Sequence, residues 1–277
     1  MGDTRLEQSA KTQSLAAKNV VANNTAAQTA KQMTEQTAGQ SETLIAKSVD
    51  VQKTAAFPLT DGRAKTAPPP EFLGEYTRLK PLYSGALKTA CSRFEILDEE
   101  FSLMHGHDPI HHIESRLKTA ESCYEKLKRR GFPQTGEHLK QLTDIAGVRV
   151  VCGYVDDVYK IARVFLNQKD VRLLRRKDYI KTPKPNGYRS LHLIAEVPVS
   201  LSFLSTVVPV EIQLRTISMN MWASLEHEVS YKAAAELKKS AFAELKSCAD
   251  DLFSVEERMQ KICGEIRAHS RPFSSEK

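Results

Sequence analysis

Apolar residues along the chain repeat with two different periods, and the change from one to the other outlines the fold. From Ser84 to His105 they recur at three and four positions, at Leu87, Cys91, Phe94, Leu97, Phe101 and Met104. This predicts a long amphipathic helix that serves as scaffold. A shorter helix is predicted from Ala120 to Arg130, with Thr119 as its N-cap and Gly131 ending it. From Val148 the period shortens toward two. Strands are expected over 148–152, 171–179, 191–197 and 207–215, with a helix over 156–167 between the first two and helices over 217–236 and 241–267 at the end. In the last helix Phe242, Leu245, Cys248, Leu252, Val255, Met259 and Ile262 keep helical spacing and are expected to pack within the molecule. Strands interleaved with helices imply an α/β (α+β) domain, a mixed β-sheet flanked by helices with extra C-terminal helices.

Composition changes sharply at Pro68-Pro69-Pro70. Residues 1–70 are rich in Ala, Thr, Gln and Lys and hold one aromatic, Phe57, so they bury too little apolar area to offset the entropy of ordering. A low-complexity extension without fixed structure is expected there, followed by one domain over residues 71–236 and a helical segment over 237–277. The formal charge of +6 and pI near 9.0 favour an anionic partner such as nucleotides, RNA or an acidic surface. Cysteines 91, 123, 152, 248 and 263 form no C-x-x-C pair, which argues against a disulfide framework or zinc site and for a reducing compartment. Neither a membrane-spanning apolar run nor a signal-peptide core is present, so a cytoplasmic location and no membrane partner are expected.

The strand alternation places the candidate chemistry. In Val208-Pro-Val-Glu-Ile-Gln-Leu-Arg215, Val208, Val210, Ile212 and Leu214 share one face, leaving Glu211, Gln213 and Arg215 on the other. Arg149 projects opposite to Val148 and Val150, and Asp144 lies just before that strand, so Asp144 and Glu211 are expected to meet at one pocket. Paired carboxylate oxygens suit Mg²⁺, which commonly takes one or two carboxylates plus substrate phosphates. Taken singly, each has a plainer reading: Asp144 as a turn cap, Glu211 in a surface salt bridge. Arg116 and Lys118 are two apart in an extended segment, and Ser122, Lys126 and Arg129 share a helix face. Together they predict a cationic stripe suited to phosphates. The loop Lys181-Thr-Pro-Lys-Pro-Asn-Gly-Tyr188 offers an aromatic ring to a nucleobase, with simple packing of Tyr188 as the alternative.

Four blocks, Ser115-Arg-Leu-Lys118, Asp144-Ile-Ala-Gly-Val-Arg149, Asn186-Gly-Tyr-Arg-Ser-Leu-His192 and Glu211-Ile-Gln-Leu-Arg-Thr216, stand in one order. In these the chain resembles the synthetase domain of the RelA/SpoT homologue family. Met219-Asn-Met-Trp-Ala-Ser-Leu-Glu-His-Glu-Val-Ser-Tyr-Lys232 resembles the small, single-domain alarmone synthetases in particular. Long members of the family also carry an HD-type hydrolase. His107-Asp108 spells that pair, with His105, His111 and His112 nearby, but such a hydrolase needs a large helical domain, so the cluster is read as structural. Arg175-Arg-Lys-Asp178 is similar to a pattern of the long enzymes, and Lys177 stands where many small synthetases have arginine, which puts bidentate phosphate binding there in question.

The resemblance implies a nucleotidyltransferase-like synthetase fold. It implies transfer of the β,γ-pyrophosphate of ATP to the 3′-hydroxyl of GDP or GTP, giving (p)ppGpp and AMP in the stringent response. It also implies Asp144 and Glu211 as catalytic residues and Mg²⁺ ligands, and Arg116, Lys118, Ser122, Lys126, Arg129, Arg149 and Lys177 as the ATP side. Tyr188, Lys184, His192, Gln213, Asn220 and Glu226 become the GDP/GTP side. A homotetramer is implied as well. Alternatives are a toxic relative acting on the tRNA 3′ end, a (p)ppApp synthetase, and a non-catalytic nucleotide sensor or RNA-binding module.

Overall fold

A computed structural model describes residues 67–232 and 238–269; the expected extension, apart from residues 67–70, lies outside the described residues. The first helix, α1 (Pro70–His105), begins well before Ser84. Pro70 takes the first helical position, where its missing N–H costs nothing, and Pro81 is accommodated within the helix. Gly106, at φ 59°, ends it with an N–H donated to the Ser102 carbonyl at 2.9 Å. Next come β1 (Ile110–Leu117), α2 (Ala120–Arg129), the single turn α3 (Gly136–Leu139), β2 (Ala146–Cys152), α4 (Val155–Leu166) and β3 (Arg172–Asp178). The chain then forms the hairpin β4 (Leu191–Leu201) and β5 (Leu204–Thr216), and finishes in α5 (Ile217–Lys232) and α6 (Lys238–His269). As expected, Thr119 caps α2, its Oγ1 accepting the Ser122 N–H at 3.3 Å. The hairpin strands run several residues beyond the expected ends, because Val197 to Leu201 pair with Leu204 to Val208 out to the turn.

The sheet is mixed, in the order β1-β2-β5-β4-β3, with β2 and β5 parallel and the other pairs antiparallel. One face is apolar and fully buried: Val148 and Val150 on β2, Leu191, Leu193 and Ala195 on β4, and Val208, Val210, Ile212 and Leu214 on β5. Helices α1 and α4 cover it, and Phe94 stacks on Phe165 with ring centroids 4.4 Å apart. Each such buried ring is worth about 1.5–3 kcal/mol over an exposed one. Gly85 lets α1 approach β4 closely, since a Cβ there would lie 2.8 Å from Val199 Cγ1. The apolar layer fixes β5, and so holds whatever projects from its opposite face.

Candidate active site

That opposite face is polar, and strand register orders it into rows. Residues facing each other across paired strands project to the same side. One row therefore runs Glu114, Arg149, Gln213, His192, Lys177 across all five strands, and the next runs Arg116, Gly147, Glu211, Ile194, Arg175. Gly147 matters in the second row, because it leaves a gap between Arg116 and Glu211; a Cβ there would touch only backbone oxygens. Arg149 Nη1 donates to Glu114 Oε2 at 2.8 Å.

Asp144, two residues ahead of β2, accepts both Lys118 Nζ and Lys126 Nζ on Oδ2. Its side chain is 14% exposed. Two members of the expected cationic stripe, Lys118 and Lys126, thus converge on the carboxylate expected to hold a metal. Burial alone would raise Asp144, yet the two ammonium groups hold it below the usual carboxylate range. Burial in turn lowers Lys126, against the pull of Asp144. Arg116 and Arg129 make no ion pair among the described residues, and Arg129 is exposed at the end of α2. Ser122 sits in the first turn of α2, and Lys177 is exposed on the edge strand β3.

Glu211 lies at the centre of the sheet with a 26% exposed side chain, its Oε1 3.6 Å from His192 Nδ1. Burial pushes its pKa up, but His192 and Lys118 outweigh it and hold the carboxyl below its ordinary range, while Asp144 opposes them. The two carboxylates therefore sense each other's charge. Asp144 Oδ1 is buried without a hydrogen-bond partner. A hard cation taking oxygen ligands fits a free carboxylate oxygen beside a second carboxylate. Among the described residues no three His, Cys, Asp or Glu side chains converge as a metal cage, so phosphate oxygens would have to complete the set.

The residues expected on the acceptor side gather around the loop between β3 and β4. Gly187, at φ 91°, makes the bend. Asn186 Oδ1 accepts the Tyr188 N–H at 3.2 Å, and Asn186 Nδ2 reaches Glu226 Oε1 at 3.5 Å. Tyr188 meets Tyr179, His192 and Trp222 edge-on, with Lys184 Nζ 4.6 Å from its ring centroid. Its hydroxyl bonds His192 Nε2 and Arg215 Nη2, both at 2.7 Å. Arg215 also donates to Gln213 Oε1 at 3.1 Å and Asn220 Oδ1 at 3.3 Å. Tyr188, His192, Gln213 and Asn220 are thus one cluster, with Lys184 above and Glu226 at its side.

Two contributors escaped the sequence reading. Arg215 is 5% exposed, although alternation had placed it beside Glu211 and Gln213. The second is α6. Its inward line is Leu245, Ala249, Leu252, Phe253 and Glu256, whereas Cys248, Val255, Met259 and Ile262, expected to pack inside, are exposed. The helix presents a different side because it must close against the loop. A Cβ at Gly187 would lie 2.6 Å from Ala249 Cβ, Arg189 Nη2 donates to Asp250 at 3.2 Å, and the Arg189 guanidinium sits 4.0 Å from the Phe253 ring centroid.

Glu256, 7% exposed with Oε2 unpartnered, has its pKa raised by burial, against hydrogen bonds from Thr216 and Ser218 and the charge of Arg189. The native state therefore holds this proton more tightly than the unfolded chain, and stability falls as pH rises from the ordinary 4.5 through the raised value. Glu256→Gln is expected to melt about 2–4 °C higher than the parent at neutral pH. The gap should close on acidification; an equal gap at all pH values would contradict a buried charge as its cause.

Residues 115–236 match the model of the region found in RelA/SpoT proteins. The chain is 44% identical over 186 residues to the GTP pyrophosphokinase YwaC of Bacillus subtilis (strain 168), covering 67% of this chain and 89% of that one. The small alarmone synthetase 1 of Bacillus subtilis, solved with its product pppGpp, superposes with a TM-score of 0.63 at 29% identity, over 70% of this chain and 99% of the other. Small alarmone synthetase 2 of the same organism gives 0.59 at 42% identity, over 66% and 96%. With the fold, the ordered blocks and relatives matched over nearly their whole length, the chain belongs to the RelA/SpoT family, among its small alarmone synthetases.

Proposed function

We propose that the chain is a GTP pyrophosphokinase, moving the β,γ-diphosphate of ATP to the 3′-hydroxyl of GDP or GTP to make (p)ppGpp and AMP. The observation that carries this reading is the coupling of two carboxylates: Asp144, held by Lys118 and Lys126 in the turn ahead of β2, and Glu211, on the polar sheet face beside His192 of the Tyr188 cluster, feel each other's charge. Such transfers need alignment and charge neutralisation more than covalent help. Arg116, Lys118, Ser122, Lys126, Arg129, Arg149 and Lys177 take the ATP phosphates. Tyr188 stacks on the guanine once Lys184 turns from its ring toward the acceptor's phosphates, with His192, Gln213, Asn220 and Glu226 in support. Glu211 accepts the hydrogen bond of the attacking 3′-hydroxyl. Mg²⁺ held by Asp144 and Glu211 would neutralise phosphate charge. Support for that ion is the unpartnered Asp144 Oδ1, in a carboxylate close enough to Glu211 for each to feel the other's charge.

The test is label transfer from γ-labelled ATP with Mg²⁺, offering GDP, GTP, ADP, ATP and deacylated tRNA separately. Label on GDP or GTP is expected; label only on tRNA or an adenine nucleotide, or none at all, would overturn the reading. Tyr188→Ala should raise the acceptor KM more than the ATP KM, since base stacking contributes about 1–3 kcal/mol. Equal losses would count against stacking.

A homotetramer is part of the proposal. Its support is apolar residues exposed at helical spacing: Ile217, Met221, Leu225 and Val229 on α5, and Val255, Met259, Ile262 and Ile266 on α6. Light scattering at micromolar concentration should give an oligomer, and a monomer would sink it. Among the described residues no helix is long and apolar enough to cross a membrane, and all five cysteines are free thiols, which supports a cytoplasmic site of action.

A further inference from the structure

The Tyr188 hydroxyl has no part in stacking, yet it makes two short hydrogen bonds within the acceptor cluster. Its partners are Arg215 Nη2 and His192 Nε2, each at 2.7 Å. A guanidinium only donates and stays protonated, so the Tyr188 oxygen must accept from Arg215. The hydroxyl then has one hydrogen left to give, and among the described residues its other hydrogen-bond partner is His192 Nε2 at 2.7 Å. If Nε2 carried a proton, two donors would face that oxygen and its own hydrogen would find no acceptor among the described residues. Nε2 is therefore the acceptor, and the neutral ring carries its proton on Nδ1. That nitrogen faces Glu211 Oε1 at 3.6 Å, a polar contact longer than a hydrogen bond.

We infer that Arg215, Tyr188 and His192 form a one-way hydrogen-bond relay that fixes the His192 tautomer and aims its Nδ1–H at the Glu211 carboxylate. Arg215 is then a positioning residue, and Tyr188 has two separable tasks: its ring for the base, its hydroxyl for the carboxylate. Burial supports a dedicated role for Arg215. It is 5% exposed, makes no ion pair with a carboxylate among the described residues, and spends its donors on Tyr188, Gln213 and Asn220. A buried cation with only neutral partners is costly to keep. The cost is understandable where its planar fork must hold three groups at once. For the consequence on turnover, the inference rests on Glu211 being the reacting carboxylate.

The experiment pairs a spectroscopic readout with kinetics. In ¹⁵N-histidine-labelled full-length protein without nucleotide, at mildly alkaline pH where imidazoles are neutral, the His192 resonance is assigned by its loss in His192→Gln. It should show the Nδ1–H tautomer, and Tyr188→Phe should convert it, wholly or in part, to Nε2–H. In Tyr188→Phe, which keeps the ring, kcat should fall on the order of tenfold to a hundredfold, as for loss of alignment. The acceptor KM should stay within about threefold. Arg215→Lys, which keeps the charge but loses the fork, should lower kcat in the same sense. An Nε2–H tautomer in the parent protein, or a Tyr188→Phe enzyme with unchanged kcat or a loss confined to KM, would overturn the relay. A protein that transfers no diphosphate at all would overturn the functional reading instead, while the tautomer would still decide the direction of the hydrogen bonds.

Discussion

Replacing Glu211 with Gln is expected to abolish diphosphate transfer, by roughly three orders of magnitude or more, while the protein melts within a few degrees of its parent. The strand beneath explains the second half. Val210 and Ile212, on either side, are fully buried, and β5 is paired on both edges by β2 and β4, so the backbone at 211 is held without help from the carboxylate. The substitution keeps shape and removes one partly exposed charge whose nearest ionisable partner stands at 3.6 Å; such changes usually alter stability by about 1 kcal/mol or less. The first half follows from electrostatics. The carboxyl is held below its ordinary range, so it is ionised across neutral pH and, in the proposed role, would meet the 3′-hydroxyl as a full negative charge. An amide neither neutralises a cation nor accepts the hydroxyl proton, and positioned proton acceptors contribute typically about 10²–10⁴-fold. Label transfer and a thermal melt on the same preparation decide it; measurable parental turnover would remove Glu211 from the chemistry.

Asp144→Asn should behave differently, losing stability as well as activity. Lys118 and Lys126 both end on Asp144 Oδ2, and the three side chains are only 14–17% exposed. Removing the charge leaves two poorly hydrated ammonium groups together with nothing between them. Stripping one partner from a buried ion cluster costs about 3 kcal/mol at the lower end, which for a domain of this size lowers Tm by about 6–12 °C. Transfer should fall on the order of a hundredfold or more, because the cradle loses its arrangement along with a carboxylate. An Asp144→Asn protein that melts with the parent would show that the lysines do not depend on this carboxylate.

The contrast between these two carboxylates was only half legible in the sequence. The period-two pattern from Val208 to Leu214 placed Glu211 on a polar face, and the capping signals around Thr119 and Gly131 set Lys126 and Arg129 on one helix face, all of which the structure bears out. Nothing in the spacing indicated that Lys118 and Lys126, 26 and 18 residues before Asp144, would close on it. Pro70 and Pro81 look like breakers, yet α1 runs from the first through the second, because its apolar side is held against the sheet. Arg215 was placed on the right face and given no task, since alternation specifies a side but not what covers it.

By itself the sequence determined the alternation of buried and polar positions, the helix stops, and the ordered blocks that carry family membership, because these rest on local stereochemistry and on residue identity. Tertiary structure alone decided which charges neutralise each other, which side of α6 faces inward, and which hydroxyl, guanidinium and imidazole align behind Glu211. Those outcomes depend on strand register and on the closure of α6 against Gly187, where contacts between residues far apart in the chain set burial and hydrogen-bond direction.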